Sequence, residues 1–144
     1  MSTAQHKEFL EDAIEAFRIN KDSELLWKIV VFHHSVYSTE SHTTDSDILQ
    51  RRNDLPPVFS ELGIAAVLMG HDHVYTRSLI MDGTTPITTG YTADGANAYA
   101  SYTKTVPNET VYLTANSASG SKFYAIKNLD FHLKLPTINR IFLM

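Results

Sequence analysis

The sequence predicts an α/β to α+β fold, a βαβ unit followed by antiparallel strands, and three observations predict it. Two short apolar runs, residues 25–32 and 64–69, have the length and β-branched content of strands buried on both faces. Between them lies a helical spacing of apolar residues, and strand, helix, strand in that order makes two parallel strands with a right-handed crossover. After residue 74 the texture changes to short β-rich runs separated by Gly, Asn, Asp and Ser, as expected of antiparallel strands.

Each element has its own local signal. Ser2 with Gln5 forms a capping box, and Phe9, Leu10, Ala13, Ile14 and Phe17 recur at helical spacing, which predicts an amphipathic helix over 3–19. The run from Leu25 to Phe32 stops at His33-His34. A polar loop over 35–46 leads to Leu55, Val58, Phe59 and Leu62, a helix opened by Pro56-Pro57 and closed by Gly63. The second strand, 64–69, ends at Gly70-His71-Asp72-His73. Further strands are expected at 75–81, 86–89, 110–114 and 122–127, with a long surface loop over 90–102.

Composition narrows the function classes. The 144 residues, 43% hydrophobic, suit one domain with one core, spanning 1–144. Twelve basic against 16 acidic side chains, a net charge of -4, provide no cationic block for a phosphate backbone, so no nucleic-acid partner is expected. No run approaches the roughly 20 apolar residues of a membrane span, and residues 1–12 lack a secretory pattern. The chain therefore reads as soluble and without an address, cytoplasmic by default. Asn108-Glu109-Thr110 has the form of a glycosylation sequon, which matters only in a secreted eukaryotic protein. With no cysteine, any metal must be held by His, Asp, Glu or amide oxygen.

The histidines carry the chemistry. Two parallel strands end on one edge of a sheet, where loops diverge and leave a crevice. His33 follows the first strand, and His71 and His73 follow the second, so the topology converges three imidazoles on that edge. Gly70 permits a tight turn, and an i, i+2 spacing in an extended segment points His71 and His73 the same way. A single histidine after a strand is more often a hydrogen-bonded surface or core residue. The doublet and the Gly-His-Asp-His turn together outweigh that reading, because neutral imidazole is the commonest metal ligand. His6 on the first helix reads as solvated and His132 as structural.

An apolar strand after Trp27, then His33-His-Ser-Val-Tyr-Ser, a helix, Ile64-Ala-Ala-Val-Leu-Met and Gly70-His-Asp-His-Val-Tyr-Thr-Arg resemble the second half of the calcineurin-like metallophosphoesterase superfamily, nearest its purple-acid-phosphatase-like branch. The run Thr110 to Tyr124 resembles the strand pair that follows. The resemblance implies the C-terminal half of an αββα sandwich. It implies metal ligation by His33, with His34 in the variable place. His71 would share the ion of His33, and His73 would hold a second ion. His42 lies near where some members carry a substrate-positioning or proton-donating histidine, a plain loop histidine being the equal alternative. Ser35 stands where the family has proline.

The family's Asp-x-His, Gly-Asp-x-x-Asp and Gly-Asn-His-Asp/Glu motifs do not occur here in order, and Asp130-Phe131-His132 matches the first by chance. Two ions roughly 3.5–4 Å apart need anionic ligands to offset their repulsion, and three neutral histidines do not supply them. The resemblance thus implies hydrolysis of phosphate-ester substrates by a two-metal hydroxide mechanism in an intact domain holding two ions of Zn, Fe or Mn. For this chain the expectation is one ion or none, little activity, and an apolar sheet face left uncovered. That face is expected to be met by a homo-oligomer, by the missing half, or by residues 133–144. The alternative is a non-catalytic, self-associating β-rich interaction domain with vestigial ligands.

Overall fold

A computed structural model describes residues 2–21, 27–39, 41–95 and 97–115. The strand expected at 122–127, His132, and the cover expected from 133–144 lie outside the described residues.

The first helix, α1 (Thr3–Lys21), starts where the capping box places it: the Ser2 amide donates to Gln5 Oε1 at 2.7 Å and the Gln5 amide to Ser2 Oγ at 3.3 Å. Strand β1 (Ile29–Phe32) follows, then a 3₁₀ turn at Ser41–Thr44, helix α2 (Ser46–Glu61) and strand β2 (Ala66–Met69). Strands β1 and β2 are parallel, with Ile29 opposite Ala66 and Phe32 opposite Met69, so the expected βαβ unit is present. Short strands β3 (Tyr75–Arg77), β4 (Met81–Asp82) and β5 (Thr85–Pro86) come next, then β6 (Tyr91–Asp94), β7 (Asn97–Tyr102) and β8 (Glu109–Ala115).

Strand β8 organises the sheet. It pairs antiparallel with β3 and β4, as the sequence pattern anticipates, and its other edge pairs parallel with β2, which the pattern does not reveal. The order β1-β2-β8-β4-β5, with β3 beside β8, makes a mixed sheet with helices, an α+β fold.

Two expectations are corrected. Helix α2 begins at Ser46, ten residues before Pro56, so both prolines lie inside it. Interior proline removes a hydrogen bond and costs about 3 kcal/mol or more. Burying Ile48, Leu55, Pro56, Val58 and Phe59 offsets that cost. The loop expected over 90–102 is the β6–β7 hairpin instead. Gly95 lies in its turn at φ +57°, a conformation open to glycine at no steric cost. The Tyr91 and Tyr102 rings meet 4.9 Å apart at its base.

The core lies between α2 and one face of the sheet. Phe59 packs 6.2 Å from Phe32 and 6.3 Å from Tyr112, and Tyr37 meets Tyr112 edge-on at 4.8 Å. The opposite face alternates out of step with it: Ile29, Ala66 and Val111 form one row, and Val31, Leu68 and Leu113 the next. Ile29 is 57% exposed, Val31 72% and Trp27 68%. An uncovered apolar face is therefore present among the described residues. No helix among them is long and apolar enough to cross a membrane.

Candidate functional site

The carboxyl ends of β1 and β2 are stitched together before any side chain meets. The Gly70 amide donates to the His33 carbonyl at 3.0 Å, and Ser35 Oγ donates to the Gly70 carbonyl at 3.0 Å. The Asp72 amide bonds the same carbonyl at 2.8 Å. Ser35 is fully buried, so its hydroxyl serves as a tie between the two turns.

Glycine at 70 is required by approach, not by φ. A Cβ there would lie 3.3 Å from the His33 carbonyl oxygen and 3.4 Å from its Nδ1. The left-handed residue is His71, at φ +69°. A non-glycine residue in that region carries strain of order 1 kcal/mol and is held only where the surroundings over-determine it. The expectation of an extended Gly70–Tyr75 segment is accordingly corrected: the chain bends at His71–Val74, and the simple i, i+2 argument for His71 and His73 lapses.

Four imidazoles converge. His33 Nε2 and His71 Nδ1 lie 3.4 Å apart, their ring centroids 5.4 Å. His34 stacks on His71 at 5.3 Å, and His42, from the 3₁₀ turn, reaches 4.9 Å from it. His42 Nδ1 bonds Asp45 Oδ2 at 2.7 Å. An ionised carboxylate only accepts, so Nδ1 is the protonated nitrogen and Nε2 keeps the lone pair, the tautomer that metal-bound histidines adopt. Desolvation first, then the Arg51 guanidinium and the neighbouring imidazoles, lower the His34 pKa from its ordinary 6.5, against the pull of Asp47.

A carboxylate joins them. Ligand atoms of His42, His71 and Asp72 all lie within 4.8 Å of one another, and Asp72 is only 2% exposed. The sequence reading gave Asp72 no role and put His34 in the variable place. The signal for Asp72 was a charged side chain in a turn between two buried strands, a place where a carboxylate needs a positive partner. Of the three imidazoles expected on one edge, His33 and His71 come together, and His42 joins them from the 3₁₀ turn. His73 is half-buried and stands outside the three-residue group, and His6, expected in solvent, is half-buried on α1.

Residues 2–75 match the calcineurin-like phosphoesterase family, a span that contains α1, β1, α2, β2 and every residue of this cluster. No curated protein matches the chain. Members of that family are metal-dependent, so divalent ions belong to its chemistry. With half the chain matched, and the matched half folding so that its histidine turns share one sheet edge, this protein belongs to the calcineurin-like phosphoesterase family as a metal-dependent phosphoesterase-like domain.

Proposed function

We propose that the chain acts in phosphate-ester hydrolysis within the purple-acid-phosphatase-like branch of the family, with His33, His42, His71 and Asp72 holding one ion and His34 at its flank. The observation that carries this reading is the 3.4 Å between His33 Nε2 and His71 Nδ1. Two imidazoles on a tetrahedral ion, each bonded at about 2.0–2.1 Å, have their nitrogens about 3.3–3.4 Å apart. The donor set fits in kind as well: neutral nitrogens with one buried carboxylate suit Zn, Fe or Mn. Gly70 supports the same fit, since any side chain there would press on the His33 ring.

When bound, such an ion lowers the pKa of its water and offsets charge on a phosphoryl oxygen. The protein's own residues do the rest. Asp45 fixes the His42 ring, the Gly70 and Ser35 bonds fix the two turns, and Asp72 supplies negative charge among neutral ligands. In this reading His42, expected as a proton donor, serves first as a ligand, because its Nδ1–H is committed to Asp45. His73 is left for a second ion, whose carboxylates would come from outside the described residues.

Calorimetric titration of the apo chain with Zn2+ and Mn2+ tests the reading, alongside hydrolysis of p-nitrophenyl phosphate. At least one ion should bind, and His71→Ala and Asp72→Asn should each weaken binding by about tenfold or more. Failure to bind either ion, or binding that both variants leave unchanged, refutes it. The exposed Ile29 and Val31 face favours a second reading, a self-associating interaction domain with vestigial ligands. That reading expects concentration-dependent association without hydrolysis.

A further inference from the structure

A cavity of about 510 Å³ lies between α1, β1 and α2, and of its lining only His33 and His34 enter the chemistry above. Its volume falls within the range of small-molecule sites. His33 and His34 line it just past the end of β1, with Arg51 and Asp47 from the first turns of α2. Leu10, Phe32, Leu55 and Phe59, from α1, β1 and α2, give it an apolar wall, beside Thr3, Gln50 and Asp54.

The polar end is continuous with the imidazole cluster, because His33 and His34 are members of both. A phosphoryl group held at the cluster has its ester oxygen directed either to open solvent or to this cavity. The apolar wall offers what an organic substituent needs, since surface removed from water there gains about 25 cal/mol per Å². His6 adds a polar contact: it lines the cavity, and its Nδ1 is buried with no hydrogen-bond partner among the described residues.

We propose that this cavity receives the organic part of a phosphate ester whose phosphoryl group sits at the imidazole cluster, which makes esters of apolar aryl or alkyl alcohols the preferred substrate class. The inference rests on the phosphoesterase reading and adds to it a leaving-group pocket. Polar sugar or glycerol phosphates gain nothing from Leu10, Phe32 and Phe59.

Non-hydrolysable phosphonates give the test, read as equilibrium binding to the Zn2+-loaded full chain. Naphthylmethylphosphonate should bind at least about tenfold tighter than methylphosphonate, the factor that roughly 55 Å² of buried apolar surface provides. Phe9 lines the cavity yet is 65% exposed, so Phe9→Ser leaves the fold intact. It should reduce the naphthyl preference about threefold without changing methylphosphonate affinity, and Leu10→Gln should reduce it further. Circular dichroism of both variants checks the fold. Equal affinity for the two phosphonates, or a preference that both variants leave unaltered, overturns the pocket while the metal-site reading stands. Binding of neither phosphonate overturns the phosphate reading and the pocket with it.

Discussion

Glu109 shows how much a single side chain organises here. It is 3% exposed at the start of β8 and accepts from the Tyr102 hydroxyl at 2.7 Å, the Thr105 amide at 2.8 Å and the Thr105 hydroxyl at 3.0 Å. Burial disfavours its charge, and these bonds, with the Val106 amide, outweigh burial and hold its carboxyl below the ordinary 4.5. A depressed folded pKa means stability present above the unfolded value and lost as pH falls through the folded one. Glu109→Gln should therefore lower stability by about 1.5–3 kcal/mol at pH 7, and the gap to wild type should narrow as pH falls below the ordinary 4.5 and through the depressed folded value. Urea melts at pH 7 and pH 3 measure both. Gly70→Ala addresses the site at the same scale. Its Cβ would meet the His33 carbonyl oxygen at 3.3 Å and the His33 ring at 3.4 Å, so metal affinity should fall about tenfold and the melting temperature should fall with it, because the two turns must part to make room.

Among the elements, the two helices are held by different physics. Helix α2 is packed on the sheet through Phe59 and its neighbours, whereas α1 adds Leu10 to that core and meets α2 through polar contacts: Thr3 Oγ1 donates to Asp54 at 3.1 Å and Lys7 Nζ to Glu61 at 2.6 Å. Hydrogen bonding to Glu61 first, partly opposed by desolvation, raises the Lys7 pKa, yet an exposed ion pair contributes little to stability. Phe59→Ala should cost about 3–5 kcal/mol in denaturant unfolding, whereas Lys7→Ala should leave the midpoint within error. The βαβ unit was legible because its periods are strong and its strands short. The reach of α2 back to Ser46 was not: Pro56-Pro57 is a strong local stop, and only burial of Ile48, Leu55 and Phe59 on the sheet overrides it.

Among the described residues, one apolar sheet face is left uncovered. The rows Ile29–Ala66–Val111 and Val31–Leu68–Leu113 present an apolar surface, with β1 at the edge of the sheet order. Exposed sheet edges and apolar patches drive association. Sedimentation velocity should show mass rising with concentration, and Val31→Lys, at a position 72% exposed, should return the protein to monomer without loss of helical signal. A concentration-independent monomer of the native sequence would remove the self-association reading and leave the metal site unaffected.

What residues 1–144 determined by themselves was a set of elements and their direction. Capping at Ser2, the apolar runs and the two histidine turns are local patterns, and parallel strands send their ends to one edge whatever else occurs. Which side chains meet at that edge was decided only by tertiary structure. His71 adopts a left-handed backbone, Gly70 closes onto His33 across 37 positions, and the 3₁₀ turn brings His42 in from the side. Local sequence encodes the period of a segment, but the direction of a side chain in a turn depends on contacts distant in sequence. For that reason Asp72 and His34 entered the site only once the strands were paired.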